Sequence, residues 1–228
     1  MKTVPLKSRI RQYWDDQAGE YDGARHREHG MKQKGHWQDL LRESLGTAPL
    51  KVLDVGTGTG AIALLLAEMG HEVSGIDLSS DMLEVGIRDA AIGGHAIDFR
   101  PGDAEKLDFP AASFDAVVSR HLLWTLPHPM TALREWKRVL RPRGTVVILD
   151  GDWSVPRTQG RTGSLEAYRE FGIEDELPMQ RLVRPAADVE MLERLDFTVT
   201  SKVLDLSGHA GSAMRHAKRF VVTGRLRG

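Results

Sequence analysis

The chain of 228 residues carries a formal net charge of −1, 41% hydrophobic residues and no cysteine. That composition supports a sizeable core and excludes disulfides, thiolate metal sites and a cysteine nucleophile. The balanced charge argues against a nucleic-acid surface, no run approaches the roughly 18 apolar residues of a membrane span, and the N-terminus lacks an apolar signal core. The expectation is a soluble cytoplasmic protein, monomer or homodimer, with neither nucleic acid nor membrane as partner.

Residues 1–48 read as a helical cap carrying Tyr13, Trp14, Tyr21, Trp37, Leu40 and Leu41, ended by Gly46 and Pro49. Lys2, Lys7, Arg9 and Arg11 read as a solvated terminus. From Lys51 the pattern changes to short runs of Val, Ile and Leu alternating with helical stretches. Val52–Val55, Glu72–Ile76, Ala96–Arg100, Phe114–Ser119 and Thr145–Asp150 read as strands. Ala61–Met69, Ser79–Ile92 and Met130–Leu140 read as helices, with Ser79 or Ser80 as N-cap of the second. Pro142-Arg143-Gly144 reads as a turn. This alternation means a parallel sheet covered on both faces.

After Asp150 the alternation stops. Residues about 151–184 read as a lid inserted into the domain that spans 49–228. Ala186–Leu195 reads as a helix. Phe197–Leu206 and Arg219–Leu226 read as an antiparallel pair, because Ser207–His216 is too short and rich in Gly and Ser for a crossover helix. The expected fold is α/β: a Rossmann-like, seven-stranded, mostly parallel sheet with helices on both faces, an antiparallel final strand and the N-terminal helical cap.

Val52-Leu53-Asp54-Val55-Gly56-Thr57-Gly58-Thr59-Gly60 places three alternate glycines between a buried strand and a helix. Ligands bind at such carboxyl ends where the strand order reverses, and glycine lets backbone approach them closely. The same letters read Gly56-x-Gly58-x-x-Ala61, a passable dinucleotide fingerprint. Asp77 ends the next strand and suits a ribose in either S-adenosylmethionine (SAM) or NAD. Asp54 favours SAM: a carboxylate beside this loop repels phosphate but attracts an ammonium or sulfonium. It can equally brace the loop as a satisfied buried acid. Asp103 and the Ala104 backbone follow the third strand, where an adenine ring would be met. The NAD reading also calls for a hydride-transfer pair such as Tyr-x-x-x-Lys. Tyr168 is followed four residues on by Gly172, and Tyr21 by Arg25.

With these residues assembled, the chain resembles a class I SAM-dependent methyltransferase of the small-molecule type from about Tyr13 to Asp150. Val52–Gly60 resembles the family's cofactor loop, Gly75-Ile76-Asp77 its ribose acid and Gly102-Asp103-Ala104 its adenine contact. Phe114-Asp115-Ala116-Val117-Val118-Ser119 resembles its fourth strand. Arg138–Gly144 resembles the turn before the fifth, with Arg143 where glycine is commoner. Arg120–Pro127 with Ile148–Trp153 is similar to a bacterial and archaeal subgroup of mostly unassigned substrate. The resemblance implies SAM as cofactor and S-adenosylhomocysteine as product. It implies a cofactor set of Asp54, Gly56, Thr57, Gly58, Gly60, Asp77, Leu78, Met82, Asp103, Ala104, Arg120 and Tyr21. The segment Tyr13-Trp14-Asp15 with Ala18, Tyr21 and Asp22 is similar to the helix that closes over SAM, which implies Tyr21 near the sulfonium or the methionine moiety.

Methyl transfer from SAM is an in-line displacement that needs proximity, alignment and exclusion of water. A base matters when the acceptor arrives protonated. The ends of strands four and five supply candidates. His121 reads as base or acceptor anchor, since imidazole titrates near neutrality. Asp152 and Tyr21 complete the catalytic set. Tyr13, Trp14, His121, Trp124 and Trp153 read as acceptor walls. Arg157, Arg161, Arg169, Arg181 and Arg184 read either as grips on an anionic acceptor or as surface charge. His26, His29 and His36 lack the acids or cysteines that would complete a metal site, so no metal is expected. The acceptor is expected to be a small molecule methylated on N or O. The alternatives are an NAD-dependent oxidoreductase on the same loop and a catalytically silent SAM-binding protein. An RNA or protein methyltransferase would want a basic groove or a recognition domain.

Overall fold

The computed structural model describes residues 4–21, 24–151, 168, 171–204 and 219–228, with the backbone alone at 20–21, 24–33, 174 and 180–181. The expected lid lies largely outside the described residues, as does the link at 207–216. Helices α1 (Leu6–Tyr21) and α2 (Ala24–Leu45) come first. Then follow β1 (Lys51–Val55), α3 (Ala61–Glu68), β2 (Glu72–Asp77), α4 (Ser80–Gly93), β3 (Ile97–Pro101) and β4 (Phe114–Arg120). Next are α5 (Pro129–Val139), β5 (Leu140–Gly151), the helix α6 at Ala186–Glu193, β6 (Phe197–Leu204) and β7 (Arg219–Leu226).

The strands form one seven-stranded sheet in the order β3-β2-β1-β4-β5-β7-β6. Neighbours from β3 across to β5 pair in parallel, and β7 runs antiparallel to both β5 and β6. The winding reverses between β1 and β4. That reversal opens a crevice at their carboxyl ends, where the glycine loop lies.

Strand alternation splits the core between the two faces of the sheet. Leu53, Val55, Val117, Val146 and Ile148 pack with Trp136 of α5 and Leu192 of α6 on one face. Val52, Val118, Val147 and Leu149 pack with Leu66 of α3 and Leu41 of α2 on the other. The expected cap therefore divides. Helix α2 seals the second face, while α1 sends Ile10 and Tyr13 into the first. It reaches both, since α1 packs along α4 and its Lys7 meets Asp103 beyond β3.

The helix α4 begins as the sequence indicates. The Ser79 hydroxyl accepts from Met82 N at 3.1 Å, and Ser79 is fully buried. The turn read at 142–144 is absorbed into β5. Leu140 pairs with Phe114 and Thr145 with Ala116, so residues 141–144 bulge out opposite Asp115. Arg143 takes the left-handed φ of 63° there. Arg141 pins the bulge through Asp115 Oδ1 at 2.7 Å, and the other oxygen of Asp115 accepts the Lys51 N–H at 2.8 Å.

One side chain fixes how closely α3, α4 and β2 approach. A methyl group placed on Gly60 would lie 2.8 Å from Phe99 Cζ, and one on Gly75 would lie 2.8 Å from Phe99 Cδ1. One on Gly86 would lie 3.3 Å from the same ring. Phe99 of β3 thus fills room left by three absent side chains. Gly60 also holds φ 78°, which an L side chain adopts at a cost. Gly60→Ala should lower stability by about 1–3 kcal/mol, from overpacking together with left-handed strain. Urea unfolding checks this, and an unchanged midpoint would mean that Phe99 yields freely.

Candidate active site

The carboxyl edge of the sheet brings most of the expected residues into one pocket. Asp54 lies one residue before the end of β1 and is 1% exposed. It accepts the Thr57 hydroxyl at 2.7 Å. Burial pushes its carboxyl up to about 6, opposed by the Thr57 hydroxyl and by the charge of Arg120. Asp54 is thus both things the sequence left open: a brace on the loop and a carboxylate on the pocket wall.

The loop itself is closed on its own acceptors. The N–H groups of Gly56 and Thr57 both donate to Ile76 O at 2.9 Å. Gly60 N–H donates to Thr57 O at 2.9 Å, and Gly58 N–H to Asp77 Oδ2 at 2.8 Å. The other Asp77 oxygen accepts the Ser79 N–H at 2.9 Å. Burial raises the Asp77 carboxyl, and the N–H groups of Ser79, Gly58 and Leu78 pull it back. At Gly56 a methyl group would strike Leu122 at 2.7 Å; at Gly58 it would meet nothing within 4 Å. Gly58 is therefore the open face of the loop, where a ligand can lie against backbone.

Gly56, Thr57, Gly58, Asp77, Leu78, Met82, Asp103, Ala104, Arg120, His121 and Trp14 all border this pocket with Asp54. Gly60 does not. It caps α3 and faces Phe99, so its absent side chain serves packing. Tyr13 is another correction. It is 4% exposed and meets Trp14, Tyr168 and Phe171 edge-on, with centroids 5.1, 4.6 and 5.4 Å away. Trp124 is a third, 4% exposed in the core and tilted against Tyr168 at 5.2 Å. Both back the wall rather than form it, because their rings have buried aromatic partners. The side chain of Tyr21, and Asp152 and Trp153 entirely, lie outside the described residues. So do Arg157, Arg161 and Arg169, the side chain of Arg181, and the side chains of His26 and His29.

Sequence reasoning missed Lys7. Far from a solvated terminus, its ammonium lies 2.6 Å from Asp103 Oδ2 and 2.6 Å from Glu105 Oε2. Burial alone would lower its pKa, but the two acids outweigh it and raise it. Asp103 also accepts the Glu105 N–H at 2.9 Å, and Glu105 the His128 N–H at 2.7 Å. The Trp136 indole N–H donates to Ala104 O at 3.1 Å, fastening the same loop to α5. Arg9 is likewise engaged, with Gly172 O at 2.7 Å and with Glu176. Ile10 joins Trp14 on the wall from α1, facing Leu122, Leu126 and Pro127 from the segment after β4. The apolar spacing on α1 was a usable signal for Ile10; nothing local marked Lys7.

His121 stands at the junction of β4 and this segment. Its N–H extends the β4–β5 ladder to Leu149 O at 3.0 Å. Its backbone then turns left-handed, at φ 57°, unusual for a non-glycine residue. The imidazole Nδ1 lies 3.4 Å from Asp150 Oδ1, and the ring borders the pocket. Burial lowers its pKa and Asp150 raises it; Arg120 and Arg219 lower it further. Among the described residues no group of three or more His, Asp or Glu assembles as a metal site. Nor, among them, is any helix long and apolar enough to cross a membrane.

A glycine loop closed on the acid that ends β2, on this seven-stranded topology, is the fold of class I SAM-dependent methyltransferases. Residues 53–148 match the family model described as a methyltransferase domain. A demethylmenaquinone methyltransferase of Renibacterium salmoninarum is 37% identical over 138 residues, 60% of this chain and 56% of the relative. A ubiquinone/menaquinone biosynthesis C-methyltransferase UbiE of Rhodopseudomonas palustris is 36% identical over 124 residues, 50% of this chain and 49% of that one. The chain thus spans about half the length of the curated relatives it matches. Among solved structures, a SAM-dependent methyltransferase from Aquifex aeolicus aligns with a TM-score of 0.67 at 19% identity, over 93% of this chain and 98% of that one. The [4+2]-cyclase SpnF aligns with 0.65 at 21% identity, over 84% and 80%. These likenesses carry the fold; the reaction has to be argued from the site.

The cost of burying Asp54 gives a test. Its raised pKa means the folded chain holds a proton that the unfolded chain releases between pH 3.8 and about 6. The penalty is absent below that window and fully present above it, about 2–3 kcal/mol at neutral pH. Asp54→Asn should therefore raise the thermal midpoint at pH 7, and the gain should vanish near pH 4. Thermal melts at both pH values check it; a gain that persists at pH 4 would assign it to something other than the charge.

Proposed function

We propose that this chain is a SAM-dependent methyltransferase that methylates a small, largely apolar acceptor. The observation that carries the reading is the loop's internal closure. Its Gly56, Thr57, Gly58 and Gly60 N–H groups donate to protein oxygens, and Asp54 and Asp77 put negative charge beside it. A pyrophosphate would find those amides spent and two carboxylates facing it. A phosphate-free ligand with an ammonium and a sulfonium suits the same surface.

The pocket's residues fit SAM part by part. Asp77 can accept the ribose hydroxyls on lone pairs left beside its two N–H bonds. Asp103 and the Ala104 backbone can meet the adenine edge, with Lys7 holding Asp103 in place. Asp54 and Arg120, opposite in charge on one wall, suit the ammonium and carboxylate of an amino-acid moiety. SAM, when bound, supplies a methyl group already activated on sulfur. The protein's share is to align the acceptor and keep water out.

On the acceptor side, Trp14, Ile10, Leu122, Leu126 and Pro127 make an apolar wall relieved by His121 and Thr125. That wall suits a flat ring more than a charged amine. The expectation of N or O is therefore widened to carbon. Relatives named for demethylmenaquinone methylation and C-methylation support a ring carbon, or a ring hydroxyl, as the target.

Calorimetric titration with SAM, S-adenosylhomocysteine and NAD tests the cofactor. We expect the first two to bind and NAD not to; NAD binding without SAM binding would sink the reading. Asp77→Ala and Asp54→Asn should each weaken SAM at least tenfold, about 1.4 kcal/mol. Unchanged affinity in a folded variant would remove that residue's role.

A further inference from the structure

His121 is backed by a buried row of charges that cofactor binding does not require. Asp150, wholly buried, faces His121 Nδ1 at 3.4 Å with Oδ1, which also accepts the Gly151 N–H at 2.8 Å. Its Oδ2 is ion-paired with Arg184 Nη1 at 2.8 Å. Arg184 is 6% exposed, neither a surface charge nor a grip on the acceptor. Its Nε donates to Asp188 Oδ2 at 2.8 Å, its Nη2 pairs with Asp188 Oδ1, and its guanidinium lies 5.1 Å from the centre of the Phe220 ring. Arg219, 4% exposed, begins β7 opposite Gly151.

Burying so many charges is expensive, and a wholly structural anchor between β5 and α6 could be apolar. The pattern of charge is informative. Asp150 and Asp188 offset Arg184 and Arg219 in formal charge, which leaves no spare negative charge to compensate a proton on the imidazole. Arg120, one residue before His121 on β4, adds repulsion toward a charged ring. Among the described residues, the charged groups facing His121 are thus Arg120 from β4, Asp150 from β5 and Arg219 from β7. An acceptor at Nδ1 selects the tautomer in which that nitrogen bears the hydrogen and Nε2 the lone pair. The left-handed backbone at His121 holds this ring at the pocket wall.

We propose that Asp150, fixed by Arg184 and Asp188, positions His121 as a neutral imidazole with its Nε2 lone pair available to the acceptor, which is a hydroxyl-bearing ring. This rests on the methyltransferase reading above. The acceptor's O–H proton passes to Nε2 while its O–H bonding pair stays on the ring system. A pair from oxygen or from the adjacent ring carbon forms the new bond to the methyl carbon, and the methyl–sulfur pair withdraws to sulfur. Methylation at carbon is completed when that carbon's proton passes through solvent to the ring oxygen, its bonding pair restoring the aromatic ring, and the imidazolium returns its proton to solvent. Asp150 and Arg184 act only through His121, as positioning residues.

The test uses the full chain labelled with 15N-histidine and long-range 1H–15N spectra, with the His121→Asn spectrum assigning the resonance. We expect the Nδ1–H tautomer at pH 7, with a protonation midpoint below 6.5. The Nε2–H tautomer, or an ordinary midpoint, would overturn the proposal from the wild-type spectrum alone. In Asp150→Asn the midpoint should fall further and the tautomer signature become mixed; an unchanged signature in that folded variant also overturns it. With S-adenosylhomocysteine present, 1,4-dihydroxynaphthalene should shift the His121 Nε2 resonance and 1,4-dimethoxynaphthalene should not. Equal shifts, or none with the dihydroxy ring, would remove the hydroxyl-bearing acceptor. The tautomer can be read whether or not SAM binds, so failure here and failure of the cofactor titration are distinguishable.

Discussion

The hydrogen bond from Gly58 N–H to Asp77 ties the end of β2 to the loop that follows β1, and the pocket takes its shape from it. A turn that exposes several amides in succession is a ready anion site unless those amides find acceptors. Here the acceptors come from the neighbouring strand: Ile76 O takes two and the Asp77 carboxylate a third. The loop is consequently rigid and electronegative at the point where dinucleotide folds are electropositive. The closure of the loop thus follows from the pairing of β1 with β2.

The same edge of the sheet manages its acids, two buried and one half-buried, in three ways. Asp54 is held by a hydroxyl and pushed toward its neutral form by burial. Asp103 is paired with a lysine brought by α1. Asp150 is paired with a buried arginine that reaches it from just before α6. Each solution leaves a different group at the pocket: the Asp54 carboxyl, the Asp103 carboxylate and the His121 imidazole. Helix α1 is the element shared between them, since Lys7, Ile10 and Trp14 reach the pocket while Tyr13 and Arg9 fasten the helix to aromatic and loop partners behind it.

Much of this was legible in the sequence because it is local. The alternation of apolar runs gave β1 to β4 within a residue or two and found β5, though not its start at Leu140, and Ser79 announced α4 by cap chemistry. Asp77 and Asp103 could be placed because one ends a strand and the other follows one closely. What could not be read is what depends on residues distant in the chain. Gly60 looks like a loop glycine, yet it answers to Phe99. Tyr13 and Trp124 look like pocket aromatics, yet each finds Tyr168. Lys7 reads as terminal charge until the fold brings Glu105 beneath it. Arg184, one of five arginines in its stretch, has Asp188 at i+4, but it is singled out by Asp150, which no spacing rule connects to it. The turn at 142–144 was located correctly but became a bulge, because the strand resumes its pairing on both sides of it.

Phe99 has a consequence beyond packing. One ring touches the loop before α3, the middle of β2 and the inner face of α4. Substitutions at Gly60, Gly75, Gly86 and Phe99 therefore share a single void, and their effects should not add. A smaller residue at 99 makes room for a methyl group at one of the glycines, though not at all three. The four positions are free to vary only as a set. Their epistasis, rather than any contact with ligand, is reason enough for this part of the cofactor loop to resist change.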